Sequence, residues 1–277
     1  MRRVALPCGT LVPAIGQGTW HMGERGADRV AEADALRLGL DLGLILIDTA
    51  EMYADGGSEA VVGAAIAGRR DEVFLVSKAY PQNASRARAK LACERSLKRL
   101  GTDRLDLYLL HWRGAVPFAE TIDAFEALRE QGKILRWGVS NLDPANMAEL
   151  MQVPRGGACA VDQVMYNPDF RGIEFDLLPW CARQGMPIMA YSPLGQGETL
   201  LRHRALGAIA ARHNASPAQI ALAWAVRHRH VIAIPKAARQ EHVRANAAAA
   251  IVLTSEDLAE LDRAFPPPKR AQPLDML

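Results

Sequence analysis

Residues 44–53 read LILIDTAEMY, and this segment decides the fold. Four consecutive aliphatic residues are typical of a strand that is buried on both faces, as in a parallel sheet covered by helices. The apolar run stops at Asp48, so the sequence predicts a carboxylate at the C-terminal end of a buried strand. Tyr53 follows in the next loop.

The same pattern occurs in two later segments. Residues 73–78 (VFLVSK) end on Lys78, and residues 105–111 (LDLYLLH) end on His111. In a parallel α/β barrel the C-terminal ends of all strands open on one face. We therefore expect Asp48, Lys78 and His111 to meet at a single mouth.

The whole chain alternates strands and helices as a closed barrel requires. Residues 3–16 predict a β-hairpin that plugs the bottom of the barrel, and residues 254–265 predict an extra C-terminal helix. The eight barrel strands are predicted within residues 14–20, 44–48, 73–78, 105–111, 135–140, 158–164, 187–191 and 231–234. This order indicates an α/β fold, a (β/α)8 TIM barrel. We expect one domain over residues 1–277, because such barrels usually have about 250 residues.

Capping signals predict where several helices begin. Ser58 is expected to cap a helix at residues 59–67. The pairs Asp143-Pro144 and Ser216-Pro217 are expected to open two more helices, since a polar cap followed by proline suits a first helical turn.

The composition excludes several classes of protein. There are 33 basic and 31 acidic residues, and a net charge of +2 is too balanced for nucleic-acid binding. No uninterrupted apolar run reaches about 18 residues, so we expect no membrane partner. The spacing of Cys8, Cys93, Cys159 and Cys181 suggests neither a metal site nor a disulfide framework, and it predicts reduced thiols in a cytoplasmic protein.

The residues expected at the mouth form a set that can protonate a carbonyl oxygen. An ammonium beside a phenol stabilises the phenolate and lowers its pKa, and Lys78 can act on Tyr53 in this way. Asp48 would keep the lysine protonated, and a neutral His111 can donate a hydrogen bond that positions the carbonyl. Because side chains do not carry hydride, a cofactor must supply it, and a nicotinamide could be that donor.

The chain resembles the aldo-keto reductase family over nearly its whole length, and most closely its bacterial, methylglyoxal reductase-like branch. The matching segments are residues 16–20, 48–53, 76–78, 110–112, 132–141, 163–167, 191–194 and 234–236. The resemblance implies that the catalytic residues are Asp48, Tyr53, Lys78 and His111. Tyr53 would be the general acid in carbonyl reduction.

The resemblance also implies a site for NADPH or NADP+, with NADH less favoured. Ser140, Asn141 and Gln163 match the residues that hold the carboxamide, and Tyr191 matches the aromatic residue that stacks on the nicotinamide ring. Lys236 matches the contact to the 2′-phosphate. The full set of implied cofactor contacts is Thr19, Trp20, Asp48, Ser140, Asn141, Gln163, Tyr191, Ser192, Pro193, Leu194, Gly195, Ile234, Lys236, Arg239, His242 and Asn246.

Phosphate binding has independent support, and the same region departs from the family pattern. Barrels often bind phosphate in the loops after strands seven and eight, which here are residues 192–197 and 235–239. His242 stands where the family commonly has arginine, and Ala237 and Ala245 replace a serine and an acid. Arg239 or Arg244 is a candidate to compensate.

The function predicted is NADPH-dependent reduction of small aldehydes or ketones to alcohols by a monomeric enzyme without a metal. Trp20, His111 and Trp112 are expected to line the substrate pocket, because indole rings offer apolar faces with a polar edge. Two alternatives remain open. One is a nicotinamide-binding regulatory or sensor subunit with little turnover, and the other is a barrel hydrolase with a metal at Asp48 and His111.

Overall fold

The computed structural model describes residues 2–197 and 199–277, and its centre is a barrel of eight parallel strands. Strands β1 (Arg3–Ala5) and β2 (Leu11–Pro13) form a separate hairpin. The barrel strands are β3 (Gln17–Gly18), β4 (Leu46–Asp48), β5 (Phe74–Ala79), β6 (Leu107–Leu110), β7 (Trp137–Ser140), β8 (Asp162–Met165), β9 (Ile188–Tyr191) and β10 (Val231–Ala233). Every residue of β4, β5 and β6 is buried, which explains their apolar sequences.

Backbone hydrogen bonds between the first and the last barrel strand close the barrel. Ala233 N donates to Ala14 O at 2.8 Å, and Gly16 N donates to Ala233 O at 2.8 Å. A parallel bridge also joins Gly18 to Lys236. Strands β3 to β10 pair in chain order, so these contacts complete the ring and the predicted (β/α)8 TIM barrel is confirmed.

Helices surround the barrel, and two of the predicted capping signals lie at helix starts. They are α1 (Arg29–Asp41), α2 (Gly57–Ile66), α3 (Arg86–Leu100), α4 (Phe118–Glu130), α5 (Pro144–Gln152), α6 (Leu177–Arg183), α7 (Arg204–Arg212), α8 (Pro217–Ala225), α9 (Gln240–Ala247) and α10 (Ser255–Ala264). The Asp143 side chain caps α5, and Ser216 forms a capping box with Gln219 at the start of α8. Both predicted caps are confirmed.

The start of α2 differs from the prediction. Gly56, with φ of 85°, is the N-cap in place of Ser58. Ser58 is fully buried, and its hydroxyl donates to Thr19 Oγ1 at 2.8 Å and lies 3.1 Å from Thr49 Oγ1. The predicted cap is therefore wrong, because the hydroxyl connects α2 to the ends of β3 and β4.

Two strands are shifted from their predicted bounds. The strand predicted over residues 14–20 is reduced to β3, Gln17–Gly18, although Ile15 still bridges Ala233. The strand predicted within residues 158–164 begins only at Asp162, because residues 156–158 form a short 3-10 helix.

The N-terminal hairpin closes the end of the barrel that lies away from the strand C-termini. Strands β1 and β2 pair antiparallel with Val4 opposite Val12. Their buried side chains form one apolar cluster with interior barrel residues such as Leu46, Leu107 and Met189. The predicted hairpin plug is confirmed.

At the other end of the chain, α10 is the predicted extra helix, with Thr254 as its cap. After it, the tail runs back toward the barrel mouth, where Met276 and Leu277 line a cleft. Among the helices of residues 2–197 and 199–277, none combines the length and apolar character that a membrane span needs.

Candidate active site

A buried lysine connects the predicted catalytic residues at the barrel mouth. Lys78 Nζ donates to Asp48 Oδ1 at 2.6 Å, to Thr49 O at 2.9 Å and to Tyr53 OH at 3.1 Å. An ammonium has three N–H donors, so each has an oxygen partner. The lysine is thus held between a carboxylate and a phenol.

The local backbone explains how these side chains converge. Asp48 is the last residue of β4 and pairs with Val76 of β5, two residues before Lys78. Side chains two residues apart on a strand point to the same face, so the side chains of Asp48 and Lys78 both point into the barrel. Tyr53 begins a short 3-10 turn after β4, in which Ala54 and Asp55 have positive φ values of 50° and 52°. This tight turn directs the phenol back toward the strand ends.

The charge on Lys78 is favoured by its neighbours. Burial alone lowers the pKa of a lysine, but the Asp48 carboxylate and the Tyr53 oxygen favour the ammonium more strongly, and the net pKa of Lys78 is raised. The ion pair with Asp48 is almost completely enclosed, since the two side chains are 0% and 2% exposed.

The pKa of Tyr53 moves opposite to the prediction. Burial raises it, Lys78 lowers it and Asp48 raises it, and the net direction is upward. Lys78 lowers the pKa of Tyr53 as expected. The prediction did not include burial, which raises that pKa by more than the ammonium lowers it. Tyr53 therefore holds its proton at neutral pH, and Lys78 is the neighbour that favours release of that proton.

His111 is a neutral imidazole beside the phenol. Burial, with a further effect from the charge on Lys78, lowers the pKa of His111 to about 2. Its Nδ1 atom is buried without a hydrogen-bond partner, and its ring centroid lies 5.9 Å from that of Tyr53. A neutral imidazole keeps one N–H to donate, as the sequence-based interpretation requires.

Amide and hydroxyl side chains continue this network along the neighbouring strand ends. Gln163 Nε2 donates to Asp48 Oδ2 at 2.8 Å. Ser140 Oγ donates to the main-chain carbonyl oxygen of Gln163 at 2.8 Å. Both Asp48 oxygens are thus engaged, one by Lys78 and one by Gln163. This arrangement does not favour the alternative in which Asp48 binds a metal.

Asn141 connects the histidine strand to the predicted stacking tyrosine. Its Nδ2 donates to the His111 carbonyl at 3.1 Å, and its Oδ1 accepts the Tyr191 hydroxyl at 3.0 Å. Asn141 has φ of 58°, a left-handed conformation that asparagine tolerates better than most residues. The aromatic ring of Tyr191 is thereby held at the mouth.

These residues border a cleft of about 980 Å³. The predicted site residues that line it are Thr19, Trp20, Asp48, Tyr53, His111, Trp112, Ser140, Asn141, Gln163, Tyr191, Ser192, Pro193, Leu194, Ile234, Lys236, Arg239, His242 and Asn246. Lys78 is absent from this lining because it lies beneath the surface that Asp48 and Tyr53 form. Gly195 is also absent, although its neighbours Leu194 and Gln196 both line the cleft. Of the two candidate compensating arginines, Arg239 lines the cleft and Arg244 does not.

Sequence reasoning missed several lining residues. They are Gly18, His21, Met52, Leu201, Ser216, Pro217, Ala218, Ala245, Met276 and Leu277, whereas Gln196, Gly197 and Pro235 lie in the loops predicted to bind phosphate. The helix-opening signal at Ser216-Pro217 could have indicated part of this set, because helix starts in barrels often border the mouth. The tail residues carry no such local signal.

The far end of the cleft is positively charged. Lys236, Arg239 and His242 line it, and all three side chains are exposed. Among the described residues of the lining, the only acid is Asp48, which is paired with Lys78. Over the same described residues, no group of three or more histidine, cysteine or acidic side chains is placed to hold a metal ion.

Comparisons with known proteins agree with this geometry. Residues 14–265 match the aldo/keto reductase family. The chain is 58% identical over 271 residues to methylglyoxal reductase YeaE of Escherichia coli (strain K12). The aligned residues cover 96% of this chain and 95% of that protein. Crystal structures of aldo/keto reductase from Klebsiella pneumoniae, one with NADP and acetate and one with NADPH, are each 54% identical, cover 100% of this chain and 99% of theirs, and have TM-scores of 0.97. The chain therefore belongs to the aldo/keto reductase family, and within it resembles the bacterial methylglyoxal reductases.

Proposed function

We propose that this protein reduces small aldehydes or ketones to alcohols with NADPH, and that Tyr53 is the general acid. The observation that carries the proposal is the 3.1 Å contact between the Tyr53 hydroxyl and Lys78 Nζ. The same Nζ atom donates to Asp48 Oδ1 at 2.6 Å. A phenol held beside an ammonium in this way is suited to donate one proton to an oxygen at the barrel mouth.

The cleft fits a nicotinamide dinucleotide phosphate. Its volume of about 980 Å³ is large for a small-molecule site, since such pockets are commonly about 300 to 1,000 Å³. Lys236 and Arg239 offer positive charge for a phosphate at one end, and Asn141 and Gln163 offer amides at the other. The Klebsiella pneumoniae relatives bind NADP and NADPH. We expect NADPH to bind more tightly than NADH, because NADH lacks the 2′-phosphate.

Further contacts to the cofactor follow from the lining of the cleft. Tyr191 would stack on the nicotinamide ring, because it lines the cleft and the hydrogen bond from its hydroxyl to Asn141 Oδ1 fixes the orientation of its ring. Asn246 is buried at the cationic end and would contact the adenine. The loop at residues 192–197 would cover the phosphates through its backbone amides.

The residues of this chain then have separate tasks in the reaction. A bound nicotinamide supplies the hydride. Tyr53 donates its hydroxyl proton to the substrate oxygen, and the ammonium of Lys78 stabilises the phenolate that remains. His111, which is neutral, donates a hydrogen bond that positions the same oxygen. Asp48 keeps the lysine charged and oriented.

The pocket favours small carbonyl compounds. Trp20 and Trp112 line the cleft beside His111, and the His111 and Trp112 ring centroids are 5.0 Å apart. Aromatic walls around a polar group bind a compact substrate in a partly dry site. The relative from Escherichia coli is a methylglyoxal reductase, so we propose 2-oxoaldehydes as one substrate class. The cysteines are free, which supports action in the reducing cytoplasm, and the monomeric state is what the family resemblance implies.

Replacement of the phenol tests the proposal. The Tyr53→Phe variant is expected to lose about 10²- to 10⁴-fold in NADPH-dependent aldehyde turnover, the range typical of general acids. Binding of NADPH, followed by quenching of its fluorescence, should stay close to the wild-type value. Tyr80→Phe is a matched control, because Tyr80 packs against Trp112 without contacting Lys78.

Three results would overturn the proposal. Full turnover by Tyr53→Phe would exclude Tyr53 as the acid. Wild-type protein that binds NADPH but consumes none across a panel of small aldehydes would indicate a nicotinamide-binding sensor subunit. Loss of activity on treatment with a chelator would indicate a metal-dependent enzyme.

A further inference from the structure

The loop that carries the general acid contains a buried carboxylate that is not one of the predicted catalytic residues. Glu51 lies between Asp48 and Tyr53 in the chain, and its side chain is only 6% exposed. Burial of a carboxylate is costly unless its oxygens accept hydrogen bonds. The partners of Glu51 therefore indicate what this residue does.

The hydrogen bonds between β4 and β5 continue past the end of β4. Thr49 N donates to Val76 O at 3.0 Å, and Glu51 N donates to Lys78 O at 3.4 Å. The bonds of a parallel ladder are evenly spaced along the two strands. The main chain of the loop thus runs beside β5 as far as residue 51.

The Glu51 side chain provides the next bond of this ladder. Phe74 N donates to Ile45 O at 2.9 Å. Six residues further along both strands, the same register would bring Tyr80 N to the main chain of residue 51. The partner of Tyr80 N is instead the side-chain atom Glu51 Oε1, at 2.8 Å. The main chain has turned away into the 3-10 turn at Tyr53–Gly56, and the carboxylate ties the start of that turn to the residue that follows β5.

The contact depends on an acceptor oxygen more than on charge. Glu51 Oε1 accepts a second hydrogen bond, from Asn83 Nδ2 at 2.9 Å. Oε2 lies 3.9 Å from Nη2 of Arg95, whose side chain is 53% exposed, and an ion pair of this kind contributes little. Glutamine at position 51 would keep the acceptor and lose the charge.

We propose that Glu51 is a positioning residue for the general acid. Its carboxylate holds the loop of Tyr53 against the strand of Lys78, and so maintains the 3.1 Å distance between the phenol oxygen and Nζ. Proton donation depends steeply on such geometry, since a misplacement of about 1 Å can reduce a rate by about 100-fold. An apolar residue of similar size would fill the same space but leave Tyr80 N without its acceptor. This inference rests on the proposed role of Tyr53 as the acid.

Substitutions at position 51 test the inference. Glu51→Leu removes both acceptor oxygens, Glu51→Gln retains one, and Glu51→Ala is a second variant without an acceptor in case leucine prevents folding. Turnover of methylglyoxal with NADPH gives kcat and KM, and single-turnover oxidation of NADPH gives the rate of the chemical step. Quenching of NADPH fluorescence gives the Kd of the cofactor. Glu126→Leu is the matched control, because Glu126 is also buried but accepts from Trp137 Nε1 at the start of β7, away from the mouth.

The expected result is a loss of rate that follows the acceptor. Glu51→Leu and Glu51→Ala should reduce kcat and the single-turnover rate by about 10- to 100-fold, with the Kd for NADPH close to the wild-type value. Glu51→Gln should keep rates near wild-type, and Glu126→Leu should lower stability in urea but not kcat. In the Tyr53→Phe background, Glu51→Leu should cause no further loss, because no acid remains to be positioned.

Several results would overturn the inference. An equal loss in Glu51→Gln and Glu51→Leu would assign the effect to the charge, and a further loss in the Tyr53→Phe background would show that Glu51 does not act through the phenol. A loss confined to KM would assign the effect to the contact between Tyr80 and Trp112. Unchanged kcat in Glu51→Leu and Glu51→Ala, with Tyr53→Phe inactive, would overturn this inference and leave the proposed function intact. Full turnover by Tyr53→Phe would overturn the proposed function, and this inference with it.

Discussion

Lys78 and Asp48 form a buried ion pair near the C-terminal ends of β5 and β4. Removal of two charges from water is costly, and their 2.6 Å contact together with the bonds to Thr49 and Gln163 offsets that cost. Such pairs seldom add net stability, since apolar residues of similar volume often serve as well. The pair is therefore better explained by the phenol that it holds in place than by the folding of the barrel.

His111 makes the stability of the protein depend on pH. The pKa of His111 is about 2 in the folded protein, against an ordinary value of 6.5. Between these values the unfolded chain binds a proton that the folded protein does not, so stability is lost as the pH falls below 6.5. A single such group changes the free energy of unfolding by at most about 1.4 kcal/mol per pH unit.

We expect the His111→Gln variant to lose less stability in acid than the wild-type protein. Urea unfolding at about pH 6.5, 5.5 and 4.5 should show a slope of stability against pH that is shallower by up to about 1.4 kcal/mol per unit. Equal slopes for the two proteins would mean that His111 is protonated in the folded state, contrary to its buried position.

Some properties of single residues could be predicted from the sequence and others could not. Asp48, Lys78 and His111 each follow an apolar run, so the barrel topology was enough to bring them together. The direction of the Tyr53 pKa depends on how deeply the phenol is buried, which no local pattern records. Proline residues 266–268 predict that the last helix ends and that a tail through Leu277 can fold across the barrel, but which residues the tail contacts depends on the packed structure.

At the level of elements, the capping residues predict the helix start correctly where the cap is partly exposed and wrongly where it is buried. Asp143 and Ser216 cap their helices as expected. Ser58 has the same residue type but faces the interior, where Thr19 and Thr49 compete for its hydroxyl. A buried partner is invisible in the local sequence, so the same signal is correct in two cases and wrong in the third.

The capping box of α10 provides a prediction at this level. Thr254 accepts from Asp257 N at 3.1 Å, and Asp257 Oδ2 accepts from Thr254 N at 3.0 Å. Thr254→Ala should lower the free energy of unfolding by about 1 kcal/mol, as loss of a cap generally does. Thr254→Ser keeps the hydroxyl and should remain near the wild-type value in urea unfolding. A loss of the same size in both variants would show that the methyl group, and not the cap, stabilises the helix.

For the whole molecule, the decisive step is the closure of the ring. Strand β3 contributes only Gln17–Gly18, yet it must join β4 on one side and the segment after β10 on the other. A side chain at Gly18 would place its Cβ 2.6 Å from the Ile234 carbonyl oxygen. The closing strands therefore approach each other at a distance that only glycine allows at position 18.

Gly18→Ala should push β3 away from the segment after β10 and should disturb the cleft at the same time. Overpacking of a well-packed interior typically costs about 1 to 3 kcal/mol, so urea unfolding should show a loss of that size. Gly18 also lines the cleft beside Thr19, so we expect weaker NADPH binding, measured by fluorescence quenching. Gly207→Ala is the matched control, because Gly207 lies in α7 with no atom near its Cβ position, and alanine there should stabilise the helix by about 0.5 to 1 kcal/mol. If Gly18→Ala were as stable as wild-type and bound NADPH equally well, the close approach of β3 to the last strand would not be required to close the barrel.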